Sequence, residues 1–211
     1  MSDGPVGRFL ELALPAPDLL ASWQCLRALG FAEAPTTDAR PEGYAVLGDG
    51  RCALGLYAEL PQAELVFVRD KPLYEWPDGL PLRVVEARTF SPVAPPSPPP
   101  LGWFSEVMLP AADPAAAAAD WEALGFVCLG AEASPLPHLA LVSDTLNLGL
   151  YPPGVLAQAG LLFEHAAPES LQPLLEQAGL HARRPPAGLP PTSVAFALPQ
   201  GTPVWVIPEP G

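Results

Sequence analysis

The sequence predicts an α+β fold assembled from tandem βαβββ modules. The first observation behind this is an internal duplication. Glu11, Leu14, Pro15, Ala16 and Asp18 return as Glu106, Leu109, Pro110, Ala111 and Asp113 at one constant offset, and Leu29-Gly30-Phe31 returns at the same offset as Leu124-Gly125-Phe126. Leu54-Gly55-Leu56-Tyr57 returns as Leu148-Gly149-Leu150-Tyr151, one residue short of that offset. Identities kept in register across three separate blocks mark a copied supersecondary unit. The second observation is that apolar spacing inside each copy changes from alternation to helical period and back to alternation. The third is the stretch SPVAPPSPPP from Ser91 to Pro100, which reads as an extended polyproline linker between the copies.

Each element follows from local chemistry. Phe9 to Leu14 alternates as a strand, with Leu10, Leu12 and Leu14 on one face and Glu11 and Ala13 on the other. Pro15 and Pro17 end it, and Asp18 can cap a helix by accepting backbone hydrogen bonds. Leu19, Leu20, Trp23, Leu26 and Leu29 recur at helical spacing, with Gly30 as the stop and Trp23 assigned to packing. A short strand follows at Phe31-Ala32-Glu33. Tyr44 to Leu47 and Cys52 to Tyr57 then form a hairpin across Gly48-Asp49-Gly50.

The second copy repeats this plan. Phe104 to Leu109 is a strand, Asp113 a cap, and a helix runs to Trp121 and Leu124 before Gly125. Phe126 to Cys128, His138 to Val142 and Leu146 to Tyr151 supply its remaining strands. Each copy has a weaker companion. Glu64 to Val68 and Leu82 to Ala87 are strands, while Lys71 to Pro81 is too short and too rich in proline and glycine for a helix between them. Gly160 to His165 is a strand, Pro168 to Gln177 a helix, and Ser193 to Ala197 pairs with Val204 to Ile207. The domains expected are 1–90, with a stunted second module; the linker 91–101; and 102–211, with two modules.

Composition narrows the function. The chain has 211 residues, 49% of them hydrophobic, so packed cores are within reach. No apolar run reaches the ~18 residues a spanning helix needs, and the N-terminal residues show no secretory leader, so the expectation is a cytoplasmic protein with no membrane contact. A net charge of −13 with one lysine, Lys71, argues against nucleic acid as a partner. The same charge would attract a cationic small molecule, or serve solubility alone. Cys25, Cys52 and Cys128 have no metal-type spacing, and their apolar surroundings favour inert thiols. Gly48-Asp49-Gly50 is a hairpin turn and not a phosphate loop, and no serine sits in a Gly-x-Ser-x-Gly context.

Taken in order, Leu14-Pro15-Ala16-Pro17-Asp18 before a helix ending Ala28-Leu29-Gly30-Phe31, and Leu109-Pro110-Ala111-Ala112-Asp113 before one ending Ala123-Leu124-Gly125-Phe126, resemble the vicinal oxygen chelate superfamily. That superfamily includes glyoxalase I, extradiol dioxygenases, fosfomycin-resistance enzymes and bleomycin-resistance proteins. The segment from Leu198 to Pro210 resembles its closing hairpin. The resemblance implies two curved mixed sheets, each enclosing a cleft, with helices on the outer faces. It also implies a divalent metal held by a His, Gln or Glu on a module's first strand and a Glu on its last. The first-strand positions here are Glu11 and Glu106. The last-strand positions fall on Gly55, Gly149 and Trp205, none of which can bind a metal.

The favoured reading is therefore a metal-independent small-molecule binder, comparable to the bleomycin-resistance branch and needing no cofactor. Its acidic, aromatic-lined cleft would use Glu11, Tyr57, Glu106, Tyr151 and Trp205 as ligand-binding residues. The structural alternative is that the tyrosines cover strand ends and the glutamates pair with arginines such as Arg51. A second function is a metal-dependent lyase, isomerase or dioxygenase of the same superfamily, with Glu164 supplementing Glu106 in an oxygen-only site. A third is a scaffold whose clefts have filled with side chains and which works through protein contact, as monomer or homodimer.

Overall fold

The structure, a computed structural model, describes residues 6–34, 42–69, 80–86 and 99–210. The first module comprises β1 (Arg8–Pro15), α1 (Leu19–Ala28), β2 (Ala32–Glu33), β3 (Tyr44–Gly48) and β4 (Ala53–Tyr57), followed by β5 (Glu64–Arg69) and β6 (Leu82–Glu86). The second half runs β7 (Trp103–Pro110), α2 (Pro114–Ala123), β8 (Val127–Glu132), β9 (His138–Val142), β10 (Asn147–Tyr151) and β11 (Gly160–His165). A 3-10 turn at Pro168–Leu171 leads into α3 (Gln172–Gln177), and β12 (Val194–Ala197) and β13 (Pro203–Pro208) close the chain. The helix expected over Pro168 to Gln177 is thus α-helical only in its second part. The expected linker and the helix-free stretch after β5 lie almost wholly outside the described residues.

These strands make two mixed sheets, ordered β2-β3-β4-β1-β5-β6 and β12-β13-β11-β7-β10-β9-β8. One pairing rule generates both. A module's first strand lies parallel to its last, as in β1 with β4, β7 with β10 and β11 with β13, and two modules join through antiparallel first strands, β1 with β5 and β7 with β11. Each module therefore pairs with its sequence neighbour. Since β6 runs parallel beside β5, it fills the last-strand place of the shortened second module.

The caps work as their chemistry requires. Asp18 accepts from the Ala21 amide at 2.9 Å, and Asp113 from the Ala115 and Ala116 amides at 3.0 and 3.1 Å. Gly30 and Gly125 end α1 and α2 with φ of 94° and 97°, a conformation that disfavours side chains. The apolar stripe of α1 is narrower than its spacing predicts: Cys25, Leu26 and Leu29 are buried, but Leu20 is 64% exposed.

The helices do not sit on free outer faces. Cys25, Leu26 and Leu29, together with Ala118, Trp121 and Leu124, belong to one core that also takes Leu12, Leu14, Leu54 and Phe67 from one sheet and Val107, Leu109, Leu148 and Phe163 from the other. Phe31 meets Phe163 edge-on at 6.5 Å, and Phe67 of β5 meets Phe126 at 6.3 Å. The face of the shortened module is thus covered by the opposite half. Val6 and Phe9 amides donate across the seam to the Leu124 carbonyl and Thr145 Oγ1, at 3.3 and 3.0 Å. Among the described residues no helix is long and apolar enough to cross a membrane.

Candidate functional site

The opposite face of each sheet carries the polar residues. In the first half, a register shift between Phe9 and Glu11 is followed by regular alternation, which separates Glu11 and Ala13 from Leu12 and Leu14. Glu11 is 1% exposed. Its Oε1 accepts from the Tyr57 hydroxyl at 2.5 Å and its Oε2 from the Tyr44 hydroxyl at 2.6 Å. Tyr44 and Tyr57 are cross-strand neighbours in the β3–β4 hairpin, with ring centroids 4.6 Å apart. Burial first, and the Glu11 charge second, push both phenols above their ordinary range, so both stay donors.

Arg83 completes this group from β6. Its guanidinium lies 5.1 Å from the Tyr57 ring centroid, and its Nε is 3.4 Å from Glu64 Oε2. Nε and Nη2 are buried, and the guanidinium is held between the Glu64 carboxylate and Tyr57. Tyr44, Tyr57, Glu64 and Arg83 are half-buried, so this trough keeps polar groups at its surface.

The second half repeats the motif in a closed form. Glu106 Oε1 accepts from the Tyr151 hydroxyl at 2.6 Å. His138 stacks on Tyr151 at 4.8 Å and 12°, and Trp205 meets Tyr151 edge-on at 5.7 Å. His138 Nδ1 is 2.8 Å from the Leu136 carbonyl, which can only accept, so Nδ1 carries a proton. Its Nε2 is 3.8 Å from Glu106 Oε2. Glu106, His138, Tyr151 and Trp205 are all buried, and Met108, Leu136, Leu156, Leu162, Ala195 and Ile207 pack with the two aromatic residues. Burial raises the Glu106 pKa; the Tyr151 hydroxyl and the His138 charge oppose this, and Glu164 adds to it. Glu164 itself accepts from Ser105 Oγ at 2.9 Å.

The sequence-predicted residues thus fall into two separate groups. Glu11 and Tyr57 share one trough; Glu106, Tyr151 and Trp205 share the other. Tyr44, Arg83 and His138 were missed. Tyr44 was legible through the hairpin register opposite Tyr57; Arg83 and His138 depend on pairings that the sequence does not announce. Arg51 does not pair with a glutamate of either trough but lies over the Trp103 ring at 4.2 Å. Cys25 and Cys52 are buried, and burial lifts the Cys25 thiol to about 11, which leaves it inert.

Whether the donors suit a divalent metal is decided at the two glycines. A Cβ at Gly55 would lie 2.5 Å from Glu11 Cδ, and one at Gly149 would lie 2.5 Å from Glu106 Oε1. The first-strand carboxylate therefore lies over the position from which a last-strand ligand would project, Glu11 with both oxygens engaged by tyrosine hydroxyls and Glu106 with one. In the fourth module Trp205 fills that place. Among the described residues no three His, Cys, Asp or Glu side chains gather at metal-holding distance. This arrangement does not fit the ligand set that the resemblance implies.

No protein-family model matches the chain, and no curated protein matches it. Solved structures do. The chain is similar to the 2,3-dioxygenase LapB from Pseudomonas sp. KL28, with a TM-score of 0.61 and 12% identity over 100% of this chain and 94% of that one. It is similar to the E323L mutant of homoprotocatechuate 2,3-dioxygenase from Brevibacterium fuscum, at 0.62 and 12% over 98% and 72%. It is also similar to 2,2',3-trihydroxybiphenyl 1,2-dioxygenase from Sphingomonas wittichii strain RW1, at 0.52 and 14% over 99% and 91%. These neighbours are extradiol dioxygenases, which belong to the vicinal oxygen chelate superfamily. At such identities the likeness is one of fold.

Proposed function

We propose that this protein binds a small molecule without a metal, in the trough of its first half. Tyr44, Tyr57 and Arg83 face the ligand, and Glu11 fixes the two tyrosines from beneath. One observation carries the reading: the Glu11 carboxylate occupies the space over Gly55 and accepts from two half-exposed tyrosines. An aromatic surface with a polar edge suits a small organic ligand. Net charge favours a cation, but both Glu11 oxygens already accept hydrogen bonds, whereas the cationic Arg83 side chain beside Tyr57 is 40% exposed. The balance supports a ligand bearing acceptor oxygens, such as an aromatic carboxylate. Glu106, Tyr151 and Trp205, fully enclosed, act in this reading as a second core and not as a ligand wall.

The metal-dependent alternative draws on the fold shared with dioxygenases, and one experiment separates the two. Chelator-treated protein is titrated calorimetrically with aromatic carboxylates and with cationic aromatics. Binding by carboxylates that weakens at least tenfold in Arg83→Met supports the proposal. Absence of heat and of thermal stabilisation across both sets would overturn it, and binding restored only by an added divalent ion would favour the alternative.

A further inference from the structure

The two troughs differ at a matched pair of positions. In each half the last strand of the companion module sets a side chain opposite the same place on that module's first strand. Arg83 of β6 pairs with Val66 of β5, and Trp205 of β13 with Leu162 of β11. Both side chains reach the duplicated tyrosine: the Arg83 guanidinium is 5.1 Å from the Tyr57 ring centroid, and Trp205 meets Tyr151 at 5.7 Å. The neighbouring position changes in step. Glu64 stands opposite Ala13, and its counterpart Gly160 stands opposite Met108, the residue that matches Ala13 in the duplication. A Cβ at Gly160 would lie 2.8 Å from the Pro203 carbonyl oxygen and 2.9 Å from Met108 Cε, so the second half has no room for an acid there.

Acid and base thus enter the first trough together and are both missing at the matched places of the second. Alternation along β5 puts Glu64 on the trough face, with Val66 and Val68 and away from Leu65 and Phe67. Its Oε2 is 3.4 Å from Arg83 Nε, and neither side chain is enclosed. A pair this open to water adds little to folding. Its effect on a charged visitor is another matter. An anion that approaches the guanidinium also meets the Glu64 carboxylate a few ångströms away, and that repulsion offsets part of the attraction. A neutral molecule of the same shape feels neither term, so the acid changes the ranking of the two.

We infer that Glu64 sets the charge selectivity of the first trough: it positions Arg83 beside Tyr57 while its own carboxylate weakens the hold on anionic ligands relative to neutral ones. This role rests on the trough binding proposed above. Full-length protein is titrated calorimetrically with benzoate and with benzamide, its neutral counterpart. The variants are Glu64→Gln, which keeps the shape and removes the charge, Glu64→Asp, which keeps the charge, and Arg83→Met; melting temperatures establish that each is folded. Glu64→Gln should bind benzoate roughly threefold or more tightly than wild type and benzamide equally. Glu64→Asp should bind benzoate as wild type does, and Arg83→Met should bind it more weakly. Benzoate binding that falls in Arg83→Met but is equal or weaker in Glu64→Gln would overturn the role of Glu64 and leave the trough reading standing. A gain in Glu64→Gln that benzamide shares, or that Glu64→Asp reproduces, would overturn selection by charge. Benzoate bound by none of the proteins, or bound equally by Arg83→Met, would overturn the trough reading and the role of Glu64 with it.

Discussion

Gly55 and Gly149 are glycines for lack of space, not for backbone freedom, since neither has a positive φ. A Cβ at Gly149 would meet Glu106 Oε1 at 2.5 Å and Tyr151 Cε2 at 2.6 Å. Alanine there should cost about 1–3 kcal/mol, as overpacking does. Adding Glu106→Ala should remove the share of that penalty due to the carboxylate, leaving the share due to Tyr151, measured as a coupling in a double-mutant cycle by chemical denaturation. Additive effects would mean that the carboxylate does not occupy that space. This glutamate also sets a pH dependence. A carboxyl whose pKa is raised in the folded state binds its proton more tightly there than in the unfolded chain. Its stabilising contribution is full at low pH and declines as pH rises from about 4.5 toward the raised value. Glu106→Gln cannot ionise and should gain on wild type over that window in urea melts at stepped pH. Asp49, also raised by burial, contributes a decline of the same sign in both proteins. A wild-type advantage that grows with pH would contradict the assignment.

At the scale of the element, most strands and both principal helices were legible because their signals are local. The alternation of Glu11 to Leu14 and the Asp18 and Asp113 caps need no knowledge of neighbours. The bulge between Phe9 and Glu11, however, places Leu10 with Ala13 and not, as its spacing predicts, with Leu12 and Leu14. Leu20 and the α3 region were misread because helical spacing does not say how wide a buried stripe the neighbouring elements will cover. The site was legible only in part. Glu11 and Tyr57 follow from the duplication, whereas Arg83 reaches Tyr57 only because β6 takes a last-strand place across a parallel pairing. The two caps also differ testably. Asp113 holds two amides and Asp18 one, so Asp113→Ala should cost about 0.5–2 kcal/mol and more than Asp18→Ala, as read by thermal melts. The reverse order would show that cap geometry does not govern these helix starts.

The whole molecule is two duplicated sheets locked by one core, and the shortened module explains why. Its β5 face, with Leu65 and Phe67, is covered by Phe126 from the other half. Phe126 also packs on Trp121 at 5.2 Å and is 3% exposed. Phe126→Ala should destabilise by about 3–5 kcal/mol while preserving a single unfolding transition in calorimetry. Two separated transitions would show that the halves unfold independently. The duplication made the repeated architecture visible in the sequence. Closure of the second trough was hidden, because it depends on Leu136 and Leu156 folding onto Tyr151 and Trp205 from segments without regular structure.

The most direct measurement is elemental analysis of full-length protein purified without chelators. Carboxylates seated over Gly55 and Gly149 predict no stoichiometric divalent metal. A single equivalent of metal, lost in Glu11→Gln or Glu106→Gln, would contradict the account at its centre.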